Sequence, residues 1–224
     1  MIIVHHLNNS RSQRIVWLLE ELGLEYDIKR YQRDPKTMLA PPELRQVHPL
    51  GKSPAITDDG LTIAESGAII EYVVGRYGNG RLMIPAADTP ERLRYTYWLH
   101  YAEGTLQPLL LMKLFFGRIE TAPMPFFARP IAKAIVAKVM GSFISPNLER
   151  NFDYLEGELG RSAWFAGDEF TAADIQMSFP LEAAVSRGGL DSKRPKLMAF
   201  LKRIHARAAY KKAIERGGEY ALLR

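Results

Sequence analysis

The sequence predicts an α/β part followed by an all-helical part. Residues 2–28 read as strand, helix and strand, and residues 53–77 read as strand, strand and helix. The rest of the chain carries several helix starts and no alternating strand pattern. A chain of 224 residues can bury a substantial core as one large or two small domains. We therefore predict one domain at residues 1–78, a linker at 79–88 and a helical domain at 89–224.

The first unit is predicted from periodicity. The segment Ile2–His6 is rich in β-forming residues, and Leu24–Ile28 alternates between apolar and polar side chains. Between them, apolar residues follow the helical period until Gly23 ends the helix. A helical connection brings the chain back to the same end of the sheet, so these two strands are expected to run parallel.

The second unit predicts a hairpin followed by a helix. Ser53–Thr57 is interpreted as a strand with a proline near its start, where the missing N–H does least harm. Asp58–Gly60 is a tight-turn signal, so Leu61–Ala64 is expected to return antiparallel. Glu65 and Ser66 then open a helix whose apolar residues recur with the helical period. Strands of both orientations with flanking helices make a mixed sheet, the layout called thioredoxin-like.

The helical part is divided by its prolines and glycines. Thr89 and Pro90 form an N-cap followed by proline at the first helical position. Predicted helices run from residue 89 to about 117, from 126 to 141, from 145 to 160 and from 175 to 185. Thr171 and Asp174 form a capping-box variant that starts the last of these, the expected buried centre of the domain. We treat both as structural residues whose loss costs about 1 kcal/mol or more.

Composition limits the chemistry that this chain can perform. It has no cysteine, which excludes disulfides, thiolate metal sites and a cysteine nucleophile. His5 and His6 are expected on opposite faces of a strand without a ligand cluster, so no metal site is predicted. Much of the net charge of +5 lies in late helices, where basic residues are usually solvated, and no nucleic-acid motif accompanies them. No window approaches the roughly 20 apolar residues of a membrane span, and no export signal is evident, so a cytoplasmic location is expected.

The stretch around the predicted hairpin combines groups suited to a small zwitterion. Ser66 at a helix start offers a hydroxyl and backbone N–H groups to a carboxylate, and Glu65 offers an anion to an ammonium. Lys52 and His48 can meet a second carboxylate. The residue before a proline is pushed towards an extended conformation, so Ser53 can present its backbone to an extended peptide. Glutathione has two carboxylates, one amine and a peptide-like middle, and it fits all of these demands.

This stretch resembles the second half of the glutathione-binding domain of the glutathione transferase superfamily. That family carries a proline, usually cis, after a basic approach, then a hairpin, then a Glu/Gln-Ser pair at a helix start. Pro54, Glu65 and Ser66 match these positions, whereas Ser53 departs from the usual valine or isoleucine before the proline. The cap formed by Thr171 and Asp174 also resembles the family's helical domain, so the resemblance covers essentially the whole chain.

The resemblance implies a cytosolic, serine-type and theta-like transferase, with glutathione as co-substrate, no metal and a homodimeric assembly. The implied activity is conjugation of the glutathione thiolate to hydrophobic electrophiles, a detoxification reaction, with reduction of organic hydroperoxides by the same thiolate as a further activity. The alternative is a protein of the same fold that binds glutathione with little or no catalysis and acts as a regulator or carrier.

The implied catalytic step needs a group that stabilises a thiolate. A free thiol has a pKa of about 8.5, and a hydrogen bond donated to the sulfur favours its charged form. In serine-type members the active serine precedes a helix arginine by four residues, a spacing that Ser10 and Arg14 match. We predict Ser10 as the donor and Arg14 as a residue that holds the loop. Asn9 and Ser12 are the alternative donors.

Further site residues follow from the resemblance. Glu103 lies where some family members reach across a dimer to the glutathione amine. The predicted glutathione-binding residues are Asn9, His48, Lys52, Ser53, Pro54, Glu65, Ser66 and Glu103. The candidates for the electrophile pocket are Leu7, Tyr97, Tyr101, Met112, Phe115 and Phe116. Aromatic and Met residues at helical spacing are more often part of a core, which is the competing interpretation of all of these except Leu7.

Overall fold

A computed structural model describes residues 1–82 and 84–223 of the chain. Its strands are β1 (Ile2–Leu7), β2 (Tyr26–Tyr31), β3 (Ala55–Asp58) and β4 (Leu61–Ala64). They form one sheet in the order β2-β1-β3-β4. β1 runs parallel to β2 and antiparallel to β3, and β3 runs antiparallel to β4. The predicted mixed sheet of thioredoxin-like layout is confirmed.

Two strands start later than the sequence predicts. The second strand begins at Tyr26 rather than Leu24, because the N–H of Leu24 donates to Leu19 O at 3.1 Å and still closes the preceding helix. The third strand begins at Ala55 and follows the cis Ser53–Pro54 peptide. The pairing of the strands is nevertheless the predicted one.

The described residues form ten α-helices. They are α1 (Ser12–Leu22), α2 (Leu44–Val47), α3 (Ser66–Tyr77), α4 (Pro90–Tyr101), α5 (Gln107–Thr121), α6 (Arg129–Val139), α7 (Ser145–Glu158), α8 (Ala172–Ala183), α9 (Pro195–Ala206) and α10 (Ala208–Gly217). A π-turn, Ala184–Gly188, extends α8, and a short 3-10 turn, Ala221–Leu223, follows α10. The helix predicted from residue 126 starts at Arg129, and the one predicted from residue 175 starts at Ala172.

Prolines explain why two helices widen instead of ending. π-turns at Ala102–Leu106 and Met140–Ile144 join α4 to α5 and α6 to α7. Pro108 and Pro146 follow these turns by two residues. A proline has no N–H to donate, and its ring clashes with the carbonyl four residues earlier, so the regular ladder is interrupted there. The chain stays helical through both turns, and the new helix predicted at Ser145 is instead a continuation.

The start of α8 confirms the predicted capping box. Thr171 Oγ1 accepts the N–H of Ala173 at 3.3 Å, and Asp174 Oδ2 accepts the N–H of Thr171 at 2.9 Å. Asp174 Oδ1 also accepts the N–H of Phe165 at 2.9 Å. Burial raises the pKa of Asp174 to about 6, and these hydrogen bonds oppose that rise. Every residue of α8 is buried, as predicted for the centre of the helical part.

One hydrophobic cluster joins the sheet part to the helical part. Trp17 on α1 meets Tyr210 on α10 edge to face, with ring centroids 5.1 Å apart, and α1 also packs against α8. The domain limits at residues 1–78, 79–88 and 89–224 stay a prediction. In the described ranges, no helix has the length and apolar character needed to cross a bilayer.

Candidate functional site

Two hydroxyls and an imidazole form a chain at the loop between β1 and α1. Ser10 Oγ lies 2.8 Å from Ser12 Oγ and accepts the N–H of Ser12 at 3.2 Å. Ser12 Oγ lies 2.9 Å from His6 Nδ1. On its other side, Ser10 Oγ is 3.5 Å from the hydroxyl of Ser53. The predicted donor therefore stands between the buried imidazole and the residue predicted to bind a peptide backbone.

His6 is neutral near pH 7. Burial, with a smaller contribution from the charge of Arg30, lowers the pKa of His6 to about 4 against an opposing hydrogen bond with the Gly217 backbone. With its proton directed to Gly217, the imidazole accepts from Ser12 at Nδ1. Ser12 then has no proton left for Ser10, so Ser10 is the donor in their 2.8 Å contact in the ligand-free chain, and its hydroxyl must turn outward to donate to a ligand.

The two alternative donors have other partners. Ser12 is fully buried behind Ser10 and is bonded to His6. Asn9 has a left-handed backbone, with φ of 51°, and its Oδ1 accepts the N–H of Ala221 at 2.7 Å. This contact attaches the catalytic loop to the 3-10 turn after α10, so Asn9 has a positioning contact rather than a place on the cavity wall.

A cavity of about 290 Å³ opens beside this loop. Its walls are formed by Arg11, His48, Leu50, Lys52, Ser53, Pro54, Ala64, Glu65, Ser66 and Glu103. All of the predicted glutathione-binding residues except Asn9 are among them. The fold thus brings the basic approach before the cis proline and the Glu65–Ser66 corner to one cavity.

The backbone at the start of α3 has an uncommon conformation. Glu65, the N-cap residue, has φ of 69° and ψ of 124°, and Ser66 is the first residue of the helix. Positive φ is uncommon for residues other than glycine and clusters at functional sites. Ser66 Oγ accepts from Arg14 Nη2 at 2.6 Å, so the Ser66 hydroxyl proton can be donated to a ligand.

Arg14 links three elements beneath the cavity. Its guanidinium donates to Ser66 Oγ on α3, to Gln176 O on α8 at 2.6 Å, and to Glu103 Oε1 in the first π-turn. Burial lowers the pKa of Arg14, and the carboxylate of Glu103 opposes that change. These contacts support the structural role predicted for Arg14.

Arg11 is a cavity residue that the sequence analysis did not select. Its Nε donates to Glu103 Oε2 at 2.8 Å. Burial would raise the pKa of Glu103, but Arg14 and Arg11 hold it below its usual range. In this structure Glu103 lines the cavity of its own chain, and its contact across a dimer stays a prediction. The available signal was position, since Arg11 directly follows Ser10.

The predicted electrophile-pocket residues have mixed surroundings. Tyr101 is buried against Trp98, with ring centroids 5.1 Å apart, and donates to Asn151 Oδ1. Leu7 is buried in a small cluster with Tyr31. Both pack inside the protein, and their place on an electrophile-pocket wall stays a prediction. Met112 and Phe116 are partly buried against the core, whereas Phe115 and Tyr97 are exposed.

A thioredoxin-like sheet domain followed by a helical domain, with a polar cavity at the cis proline and the Glu-Ser helix start, defines the architecture of a glutathione-dependent transferase. Two family models match the chain: the N-terminal domain of glutathione S-transferase over residues 1–75 and its C-terminal domain over residues 145–208. Glutathione S-transferase 3 of Schizosaccharomyces pombe is 41% identical over 82% of this chain and 74% of its own length. Glutathione S-transferase 1 of Saccharomyces cerevisiae is 35% identical over 94% of this chain and 92% of its own.

A solved structure extends this likeness to three dimensions. A glutathione S-transferase from Actinobacillus pleuropneumoniae is 32% identical and superposes with a TM-score of 0.78, covering 100% of this chain and 96% of that one. The chain belongs to the glutathione S-transferase family. This membership confirms the resemblance and the fold predicted from the sequence, and it supports the enzyme class that the resemblance implies. Proteins of this family use glutathione as a substrate.

Proposed function

We propose that this chain binds glutathione along the cavity beside α3 and transfers its thiolate to an electrophile. The observation that carries the proposal is the position of Ser10. Its hydroxyl accepts a backbone N–H, lies 3.5 Å from the hydroxyl of the cavity residue Ser53, and carries a proton that a thiolate at the cavity edge would draw away from Ser12.

The cavity supplies a partner for each polar part of glutathione. The γ-glutamyl carboxylate would accept from the Ser66 hydroxyl and from the first N–H groups of α3, where the helix dipole favours an anion. The ammonium group would meet Glu65. The glycyl carboxylate would meet Lys52 and His48, and the extended middle would pair with the backbone of Ser53.

Ser10 would act by stabilising the thiolate. Only a few per cent of a thiol with a pKa of about 8.5 is ionised at pH 7, and each unit of lowering corresponds to about 1.4 kcal/mol. A hydrogen bond from Ser10 Oγ to the sulfur favours the anion, and the N-terminus of α1 and the Arg11 charge add to this preference. The thiol proton leaves to solvent, the sulfur forms a bond to the electrophilic carbon, and the leaving group departs with its electron pair.

The proposal includes a homodimer in the cytoplasm. Leu93 and Tyr97, four residues apart on one face of α4, are 73% and 44% exposed. A second copy of the chain would remove these apolar side chains from water. Sedimentation of the purified chain should therefore give twice the monomer mass, and a monomer at micromolar concentration would contradict this part of the proposal.

The proposed function is tested with glutathione and a chlorodinitrobenzene. The wild-type chain should conjugate the two, and Ser10→Ala should lower kcat/KM about a hundredfold while calorimetry still detects glutathione binding. Ser142→Ala, which alters an exposed serine in the second π-turn, is the matched control and should leave the rate unchanged. Tight binding without turnover across varied electrophiles and hydroperoxides would instead support the carrier or regulator. Absence of binding would reject both.

A further inference from the structure

We propose that the electrophile of this enzyme carries an anionic group, which is bound by an arginine cluster beside the loop that carries Ser10. The arginine cluster consists of Arg11, Arg33, Arg118 and Arg187. The inference rests on the proposed function, because it names the class of the second substrate at the same site. The expected substrate is thus amphiphilic, with an apolar body and a carboxylate, sulfonate or phosphate.

Arg33 is attached to the loop that carries Ser10. Its backbone N–H donates to Asn8 Oδ1 at 2.9 Å, and its Nε donates to Asn8 O at 3.3 Å. Asn8 lies two residues before Ser10 in the loop after β1. The half-buried guanidinium of Arg33 is therefore held beside the catalytic loop by the fold and does not depend on a flexible surface position.

Arg187 lies in the helical domain, near enough to Arg33 and Arg11 for its charge to interact with theirs. It lies in the π-turn Ala184–Gly188, and its Nε is buried without a hydrogen-bond partner in the described part of the chain. A buried donor without a partner is costly, and such groups call for an explanation such as a ligand. Lys113 Nζ donates to Gly188 O at 2.7 Å, so α5 is packed against this turn and brings Arg118 towards it.

The positive charges lie close enough to affect one another. Burial lowers the pKa of Arg33, and the charges of Arg11 and Arg187 lower it further. Burial also lowers the pKa of Arg187, where Tyr220 opposes the change and Arg11 and Arg118 add to it. Like charges held together in a partly desolvated place favour the binding of an anion, which relieves their repulsion.

The described residues provide no acidic side chain as an ion-pair partner for Arg33, Arg118 or Arg187. Glu103 is engaged by Arg11 and Arg14. Arg207, by contrast, donates two hydrogen bonds to Glu21. The arginine cluster is therefore a local excess of positive charge beside the loop that carries Ser10.

Glutathione itself does not account for this excess. Its two carboxylates have proposed partners in the cavity at Ser66 and at Lys52 with His48, and of the four clustered arginines only Arg11 lines that cavity. A guanidinium binds carboxylate and phosphate groups through paired hydrogen bonds, which also fix the orientation of the ligand. The cluster would thus orient an anionic electrophile with its reactive carbon towards the sulfur.

The test uses two glutathione conjugates that resemble products, S-hexylglutathione and an S-carboxypentyl glutathione that ends in a carboxylate. Calorimetry with the full chain should show that the carboxylate conjugate binds about tenfold more tightly. Arg187→Gln and Arg118→Gln should each remove most of this difference and leave the affinity for S-hexylglutathione unchanged. Arg118 is exposed, so Arg118→Gln should fold normally and keeps the test decisive even if the Arg187 variant misfolds. Arg129→Gln, an exposed arginine at the start of α6, is the control and should keep the preference.

Three outcomes would overturn the inference. Equal or weaker binding of the carboxylate conjugate rejects the anionic class. An equal loss of both conjugates in Arg187→Gln would mean that the arginine acts on the glutathione part or on the fold. Binding of neither conjugate rejects the proposed glutathione site and this inference together, whereas tight binding of both without a carboxylate preference rejects this inference alone.

Discussion

Two helix starts in this protein carry buried polar clusters that differ in one respect. At the start of α8, Asp174 accepts from the N–H groups of Phe165 and Thr171 and also from the Thr171 hydroxyl at 3.3 Å. Both carboxylate oxygens are thus occupied by the protein itself. This cluster is closed, and its polar groups stabilise the fold.

The cluster before α1 is open at one end. Ser10 is connected inward to Ser12 and His6, but outward it meets only the edge of the cavity through the 3.5 Å approach to Ser53. Donors that are aimed at a ligand give little to stability in its absence. The comparison teaches that a substitution in the closed cluster should lower the free energy of unfolding, whereas one in the open cluster should lower the rate.

The largest effect is expected for Asp174→Ala. Removing the carboxylate leaves two buried N–H groups and a hydroxyl without their acceptor, which should lower the free energy of unfolding by about 3 kcal/mol. Urea denaturation measures this loss, and the glutathione affinity of the folded fraction should be unchanged. Asp168→Ala alters an exposed acid nearby and should cost much less. If Asp174→Ala and Asp168→Ala lowered the free energy of unfolding equally, the hydrogen bonds of the closed cluster would not be what stabilises the fold.

The next effect is a pH dependence that arises from His6. Its pKa is about 4 in the folded chain against 6.5 for an ordinary histidine, so on acidification the unfolded chain is protonated first. The contribution of His6 to the free energy of unfolding is fully present above pH 6.5. It falls as the pH drops towards 4, by up to about 3 kcal/mol at the lower end.

The raised pKa of Asp174 acts in the opposite sense over an overlapping range, so the His6 contribution must be isolated. It is the difference in unfolding free energy between the wild type and His6→Asn, followed from pH 7 to 4. Exposed His100→Asn is the matched control and should show no such trend. A His6 pKa near 6.5 in an NMR titration of the folded chain would contradict the assigned neutral role.

The smallest effect is expected for Ser12→Ala. Ser12 does not contact the proposed sulfur position directly, but its hydroxyl, held by His6, helps to keep Ser10 Oγ in place. We expect kcat/KM to fall about fivefold, with the apparent thiol pKa in the pH–rate profile shifted upward because Ser10 donates less well. A rate loss without this shift would indicate a packing defect instead of a positioning role.

Local signals in the sequence predicted much of the fold. The hairpin turn at Asp58–Gly60, the capping box of Thr171 and Asp174, and the Glu65–Ser66 helix start each depend on residues a few positions apart, and the structure contains all three. Such signals are reliable because backbone conformation alone determines whether they can form.

Contacts between distant residues could not be predicted in the same way. Arg11 meets Glu103 across 92 positions of sequence, and the arginine cluster draws residues from the loop before α1 to the π-turn after α8. The helical period shows that Tyr101 shares a face with other apolar residues, but not whether that face meets the core or a pocket. Pro146 indicated a new helix, and the helix predicted to residue 117 ran through Pro108, yet the choice between ending and widening a helix depends on tertiary packing.

The π-turn at Ala102–Leu106 also sets which face of α5 is turned towards the core. Its spacing is one residue wider than that of a regular helix, so deleting Gly104 would rotate α5 about its own axis by about 100° relative to α4. Leu110 now packs directly on Gly188, where an added Cβ would come within 2.6 Å of it, and the rotation would carry Leu110 away. Conversely, inserting one residue into a regular helix at this point would change which side of α5 faces the proposed second substrate. The side chains of α5 itself would stay the same.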